Sequence, residues 1–139
     1  MDHYEITIPY PERGQSFKSS ITRNAFTLIE GEQSNHVEIF SDVWDFLTWL
    51  TMLKRTVNKF DAYIMNGWYS LPNVIETLRG RTDKIKSIMD FTGNGDRGDE
   101  IRNYIADFSE ENDLRYGAQN YLFNGHGSLS DYWMNSTHK

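Results

Sequence analysis

The chain has 139 residues, a formal net charge of −6 and no cysteine, which suits one domain with a core of its own and excludes a disulfide framework or a thiolate zinc site. Four Trp, eight Tyr and eight Phe set it apart from a disordered chain. The excess of acid argues against direct binding of nucleic acid through a basic face, because neutralising phosphates with Lys and Arg supplies most of that affinity.

The opening MDHYEITIPY has neither the basic start nor the apolar run of an export signal, and no window reaches the ~20 apolar residues of a spanning helix. A cytoplasmic protein with no membrane association is expected. Over the first forty residues apolar and polar positions alternate: Tyr4, Ile6 and Ile8, then Phe17, Ser19 and Ile21, then Phe26 and Leu28, then Val37 and Ile39. That pattern predicts an antiparallel meander of about four short strands, with turns at Arg23-Asn24 and between Gly31 and Asn35, and Pro9 and Pro11 limiting the first strand.

At Ser41 the period changes. Val43, Phe46, Leu47, Leu50 and Val57 share one helical stripe, and Ser41 or Asp42 can cap it. This helix is expected to reach Val57 and to break near Lys59, since Asp61 would otherwise fall on the apolar stripe. Trp44 lies off the stripe. A second helix is predicted from Asn73, burying Val74, Ile75, Leu78, Ile85, Ile88 and Met89, with Gly80 a weak point inside it. A third begins near Asp99 on the stripe Ile101, Tyr104, Ile105 and Phe108. After Gly117 an irregular tail is expected. The reading is one α+β domain over residues 1–139, a meander packed against about three helices.

Charge is distributed unevenly. Between Asp90 and Asp113 stand eight acidic residues and two arginines, so this segment alone accounts for the whole net charge of −6. Asp96, Asp99, Glu100, Asp107, Glu110, Glu111 and Asp113 form the candidate partner-binding face, with Trp44, Trp68, Tyr69 and Trp133 as aromatic anchors of the kind enriched at protein interfaces. The expected partner is a protein with a basic surface.

A second possibility is a small ligand such as a nucleotide. Gly93, Gly95 and Gly98 match G-x-G-x-x-G before a helix, and Arg79, Arg81 and Lys84 are nearby cations. The dinucleotide motif requires a strand before the loop, whereas Lys84 to Phe91 reads as helix. The same loop nearly fits a calcium loop through Asp90, Thr92, Asn94 and Asp96, but Ile101 stands where the closing Glu is needed. The histidines have no metal-ligand spacing, so neither a metal nor a cofactor is expected.

An enzyme is the third possibility. His126, Ser128 and Asp131 are the residues that could be drawn as a hydrolase set, although no nucleophile-elbow motif accompanies them. In size, acidity, lack of cysteine and lack of a catalytic motif the chain resembles the small inhibitors and immunity proteins of the antirestriction and anti-CRISPR kind. That resemblance implies a non-enzymatic protein that occludes a basic, nucleic-acid-handling partner.

Overall fold

The computed structural model describes the backbone of residues 3–10, 15–22, 26–54, 58–95 and 97–137, and the side chains within 26–54, 58–95 and 97–135. Strands β1 (His3–Tyr10), β2 (Gln15–Thr22) and β3 (Thr27–Ile29) run antiparallel, with Tyr4 in register with Ile21 and Ser20 with Leu28. The faces assigned to Tyr4, Ile6, Ile8, Phe17, Ser19 and Ile21, and the turn at Arg23-Asn24, lie outside the described residues. The meander ends at its third strand. β4 (Gln33–Phe40) instead pairs in parallel with β5 (Phe60–Ile64) on one side and β6 (Ser87–Phe91) on the other, β7 (Arg115–Ala118) adds parallel to β6, and β3 closes antiparallel on β5. The result is an α+β domain on a mixed seven-stranded sheet of order β1-β2-β3-β5-β4-β6-β7.

Among the described residues four α-helices cover it: α1 (Val43–Met52), α2 (Leu71–Arg79), α3 (Gly98–Glu111) and α4 (Leu129–Thr137). Asp42 caps α1 by accepting the Asp45 amide at 2.9 Å, and the helix stops at Met52, with Lys54 in the left-handed region. The helix therefore ends well short of the Val57 and Lys59 expected for it, Val57 itself lying outside the described residues. Phe46 and Leu50 of α1, Phe123 and Leu129 of the α4 layer pack against Phe40, Ala62, Ile64 and Phe91. On the other face Val74, Ile75 and Leu78 of α2 and Ile105 and Phe108 of α3 pack against Val37, Ile39, Tyr63 and Ile88. Each such side chain contributes about 1.5–3 kcal/mol when fully buried. Among the described residues no helix is long and apolar enough to cross a membrane.

Two predicted elements are corrected. The helix expected to run through Ile85, Ile88 and Met89 ends at Arg79 with Gly80 as its cap, and Ser87–Phe91 is a strand. Ile88 enters the α2/α3 core while Met89 and Phe91 face the α1/α4 core, so both faces of β6 are apolar and no period-2 signal survives. The tail is ordered as well. It supplies α4, whose few buried or half-buried apolar anchors, Leu129 and Tyr132, are too sparse to give a periodic signal.

The parallel strands place one feature at their carboxyl edge. From β4 the chain crosses to β5, returns past β4 to β6 and continues to β7, with α1 on one face and α2 and α3 on the other. The loops after β4 and β6 therefore diverge, leaving a crevice where open α/β sheets hold their ligands. Ser41 Oγ accepts the Gly93 amide across it at 2.9 Å, beneath the stacked rings of Phe40 and Phe91.

α4 is fastened to α1 by a buried carboxylate. Asp45 is fully buried, with Oδ1 accepting the Ser130 amide at 2.9 Å and Oδ2 without a hydrogen-bond partner among the described residues. Burial pushes its pKa up to about 6, the Ser130 bonds opposing and the Asp42 charge adding. Protonation therefore favours the folded state. Stability contributed by this group is present below about pH 4 and lost as pH rises through about 6, a change on the order of 3 kcal/mol. Asp45→Asn keeps the acceptor for Ser130 and carries no charge, so denaturant titrations should show it more stable than the parent at pH 7 and lacking the fall between pH 4 and 6. An unchanged pH profile in the variant would contradict this assignment.

Candidate interaction face

The turn after β5 displays two aromatic rings. The Met65 amide donates to the Phe40 carbonyl and that of Asn66 to the Ser41 carbonyl, while Asn66 Nδ2 donates to Thr27 Oγ1. Asn66 (φ 49°) and Gly67 (φ 141°) then reverse the chain through conformations most side chains avoid. A Cβ on Gly67 would lie 2.5 Å from the Tyr69 ring, so glycine is required there. Ser70 is fully buried, its Oγ donating within reach of the Met65 and Gly67 carbonyls at 2.7 and 2.8 Å. With the turn held by its neighbours, Trp68 and Tyr69 stand out at 55% and 59% exposure.

Below them α2 and α3 form a groove. Its upper hollow, about 280 Å³, lies between Trp68, Tyr69, Leu71 and Pro72 on one wall and Arg97, Glu100, Ile101 and Tyr104 on the other. Its lower hollow, about 230 Å³, is lined by Ile75, Arg79, Tyr104, Asp107, Phe108 and Glu111. Tyr104 joins the two at 48% exposure, although its spacing predicted a core position. The groove thus combines apolar floor, aromatic rim and carboxylate wall. Of the predicted face, Trp68, Tyr69, Glu100, Asp107 and Glu111 come together here.

The remaining candidates do not join them. Glu110 is exposed on α3, Asp113 is exposed just past its end with φ 56°, and Asp99 is tied to Arg102 at 2.7 Å. Trp44 is 68% exposed and Trp133 half-buried, both in the α1/α4 layer across the sheet. Asp96 lies outside the described residues. Asp90, part of the acidic stretch, is buried rather than outward, accepting from the Thr92 amide and hydroxyl and from Tyr116 Oη.

The residues of the ligand alternative are split between opposite ends of the sheet. Gly93, Gly95 and Gly98 stand at the carboxyl edge of the parallel strands, whereas Arg79, Arg81 and Lys84 follow α2 back to the amino edge. Arg81 is committed to Tyr63 Oη at 2.6 Å and Asp61 at 3.1 Å. The glycine loop does follow a strand and open a helix, contrary to expectation, and forms with Ser41, Trp68, Arg97 and Ile101 a cleft of about 320 Å³. Arg102 fixes this loop through the Gly93 carbonyl at 2.8 Å, and Asn94 bonds to the His126 carbonyl and to Asn120. Asp90 and Asn94, two of the calcium-type positions, are thereby engaged internally. Among the described residues no group of three or more His, Asp or Glu side chains is placed to share a metal ion.

The hydrolase set is a helix cap. Ser128 Oγ caps α4 by accepting the Asp131 amide at 3.1 Å, and Asp131 in turn accepts the Gly127 amide, one residue before the cap, at 3.3 Å. His126 Nδ1 is 3.6 Å from Asp131, and Ser128 Oγ meets Ser130 Oγ. No protein-family model matches the chain, and no curated protein matches it in sequence.

Two glycines of the loop have opposite tolerances. A Cβ on Gly93 would sit 2.6 Å from the Gly127 carbonyl oxygen, whereas one on Gly95 meets nothing within 4 Å. Gly93→Ala should cost about 1–3 kcal/mol by driving the glycine loop and the start of α4 apart, while Gly95→Ala should stay within about 0.5 kcal/mol of the parent. Thermal melts of the two variants check this, and equal melting temperatures would rule out the tight packing of Gly93 on Gly127.

Proposed function

We propose that the chain is a non-enzymatic binding protein that presents the α2/α3 groove to a protein with a basic surface and occludes that surface, an inhibitor or immunity-type role in the cytoplasm. The observation that carries this reading is the exposure of Trp68, Tyr69 and Tyr104 along a groove walled by Glu100, Asp107 and Glu111. Large exposed aromatics supply contact area at low entropic cost, and flanking carboxylates steer a cationic partner toward them. Both the polar and the apolar requirements of an interface are thus met on one face. The exposed Glu110 on the same helix extends its field.

A helical peptide with arginines along one stripe and leucines along the other is a sufficient probe. Its association with the protein, followed by stopped-flow fluorescence, should slow severalfold between about 50 and 200 mM salt as the Debye length shortens. Asp107→Asn with Glu111→Gln should lower the association rate and its salt dependence, whereas Trp68→Ala should act mainly by speeding dissociation. A rate indifferent to salt and to both neutral substitutions would defeat the proposal.

One observation favours a second reading. The cleft of Ser41, Gly93, Gly95 and Gly98 sits at the strand-order switch, after a strand and before a helix, the position where open α/β sheets take small ligands. A thermal-shift series with ATP, GTP and NAD tests it. A ligand at a hundred times its dissociation constant raises stability by about 2.7 kcal/mol, and no shift across the series removes this reading for nucleotides.

A further inference from the structure

We infer that Trp68 and Glu100 form a guanidinium-binding subsite, filled in the free protein by the chain's own Arg97 and taken over by an arginine of the partner on binding. The inference rests on the partner-binding reading above. Arg97 Cζ lies 4.2 Å from the centroid of the Trp68 ring, and Nη1 is 3.4 Å from Glu100 Oε2. A guanidinium on an indole face keeps its edge free for a carboxylate, so one planar cation satisfies both groups at once. An ammonium has no such plane.

The contact is built to be exchanged. The side chains of Arg97 and Glu100 are 49% and 74% exposed, and an ion pair of that exposure is strongly screened. Arg102, only a few residues on, shows the opposite design, its side chain 12% exposed and held by the Gly93 carbonyl and Asp99. Arg102 holds the loop, leaving Arg97 free of that duty. The other end of the groove repeats the arrangement, with Arg79 Cζ 5.4 Å from the Phe108 ring centroid and paired with Glu76 at 3.7 Å. Two arginines of the chain therefore already lie on aromatic rings of this groove, one in each hollow. Each hollow thus has an aromatic ring that already carries a guanidinium of the chain itself. Asp107, Glu111 and Glu100 supply the charge complementarity that an incoming arginine-bearing segment needs.

The test uses two amidated peptides of identical sequence except that one carries Arg and the other Lys, titrated calorimetrically against the full chain. The parent should prefer the Arg peptide, and Trp68→Ala should erase that preference. Arg97→Gln removes the internal competitor and should tighten the Arg peptide about threefold to tenfold while leaving the Lys peptide nearly unchanged. Trp68→Phe, which keeps an aromatic face, should retain part of the preference and guards against misfolding of the Ala variant. If Arg97→Gln leaves the Arg peptide unchanged or weaker while Asp107→Asn still weakens both peptides, the subsite is overturned and the binding face stands. If neither peptide binds the parent or any variant, the binding face itself is overturned, and the subsite with it.

Discussion

Strand β4 has a parallel neighbour on each edge and a helical layer on each face, and that fourfold enclosure governs the rest of the molecule. Val37 and Ile39 go to one core and Phe40 to the other, while Glu38, also buried, accepts the Trp49 indole N–H at 3.0 Å. A parallel neighbour cannot be joined to its partner strand by a hairpin. The neighbours of β4 must arrive by crossovers, which brings α1 to one side and α2 and α3 to the other. From this follow the divergence of the loops after β4 and β6 and the side-by-side placement of α2 and α3, whose shared groove is the proposed binding face.

The acidic residues divide by what this enclosure does to them. Asp45, Asp61 and Asp90 are buried and act as fasteners: Asp45 holds the Ser130 amide of α4, Asp61 takes the Gly31 amide and Arg81, and Asp90 ties Thr92 to Tyr116. Burial, with the Asp90 charge beside it, in turn pushes the Tyr116 hydroxyl well above its ordinary range. Glu100, Asp107 and Glu111 instead remain exposed on the solvent side of α3, where their charge reaches outward. The carboxylates of the segment from Asp90 to Asp113 that face solvent are therefore concentrated on α3.

Much of this was legible before any coordinates. Val43, Phe46, Leu47 and Leu50 announced α1, and Ile101, Ile105 and Phe108 announced α3, because a helix with one buried face has an unambiguous period. The end of α1 was not legible: the helix expected to reach Val57 and break near Lys59 stops at Met52, and Trp44, off its stripe, stays 68% exposed instead of being covered. What could not be read were β6 and β7. β6 is apolar on both faces and shows residues at helix-compatible spacing, and β7 is an edge strand of four residues, too short to show a period. The groove was half legible: Trp68, Tyr69, Glu100, Asp107 and Glu111 were chosen as anchors and charges, but their convergence depends on α2 and α3 being neighbours, which only the sheet order decides. Tyr104 was assigned to the core by its spacing, yet α3 turns it toward the groove.

The central claim is that recognition takes place on the α2/α3 face and not at the strand-end cleft or the α1/α4 layer. Amide and indole NMR shifts of isotope-labelled protein, recorded while the arginine-bearing helical peptide is added, test it most directly. The account predicts saturable shifts at Trp68, Tyr69, Glu100, Tyr104, Asp107 and Glu111, with Trp44, Trp133 and Ser41 unmoved. Shifts centred on Ser41 and Gly93, or on α1 and α4, with the groove silent, would contradict it.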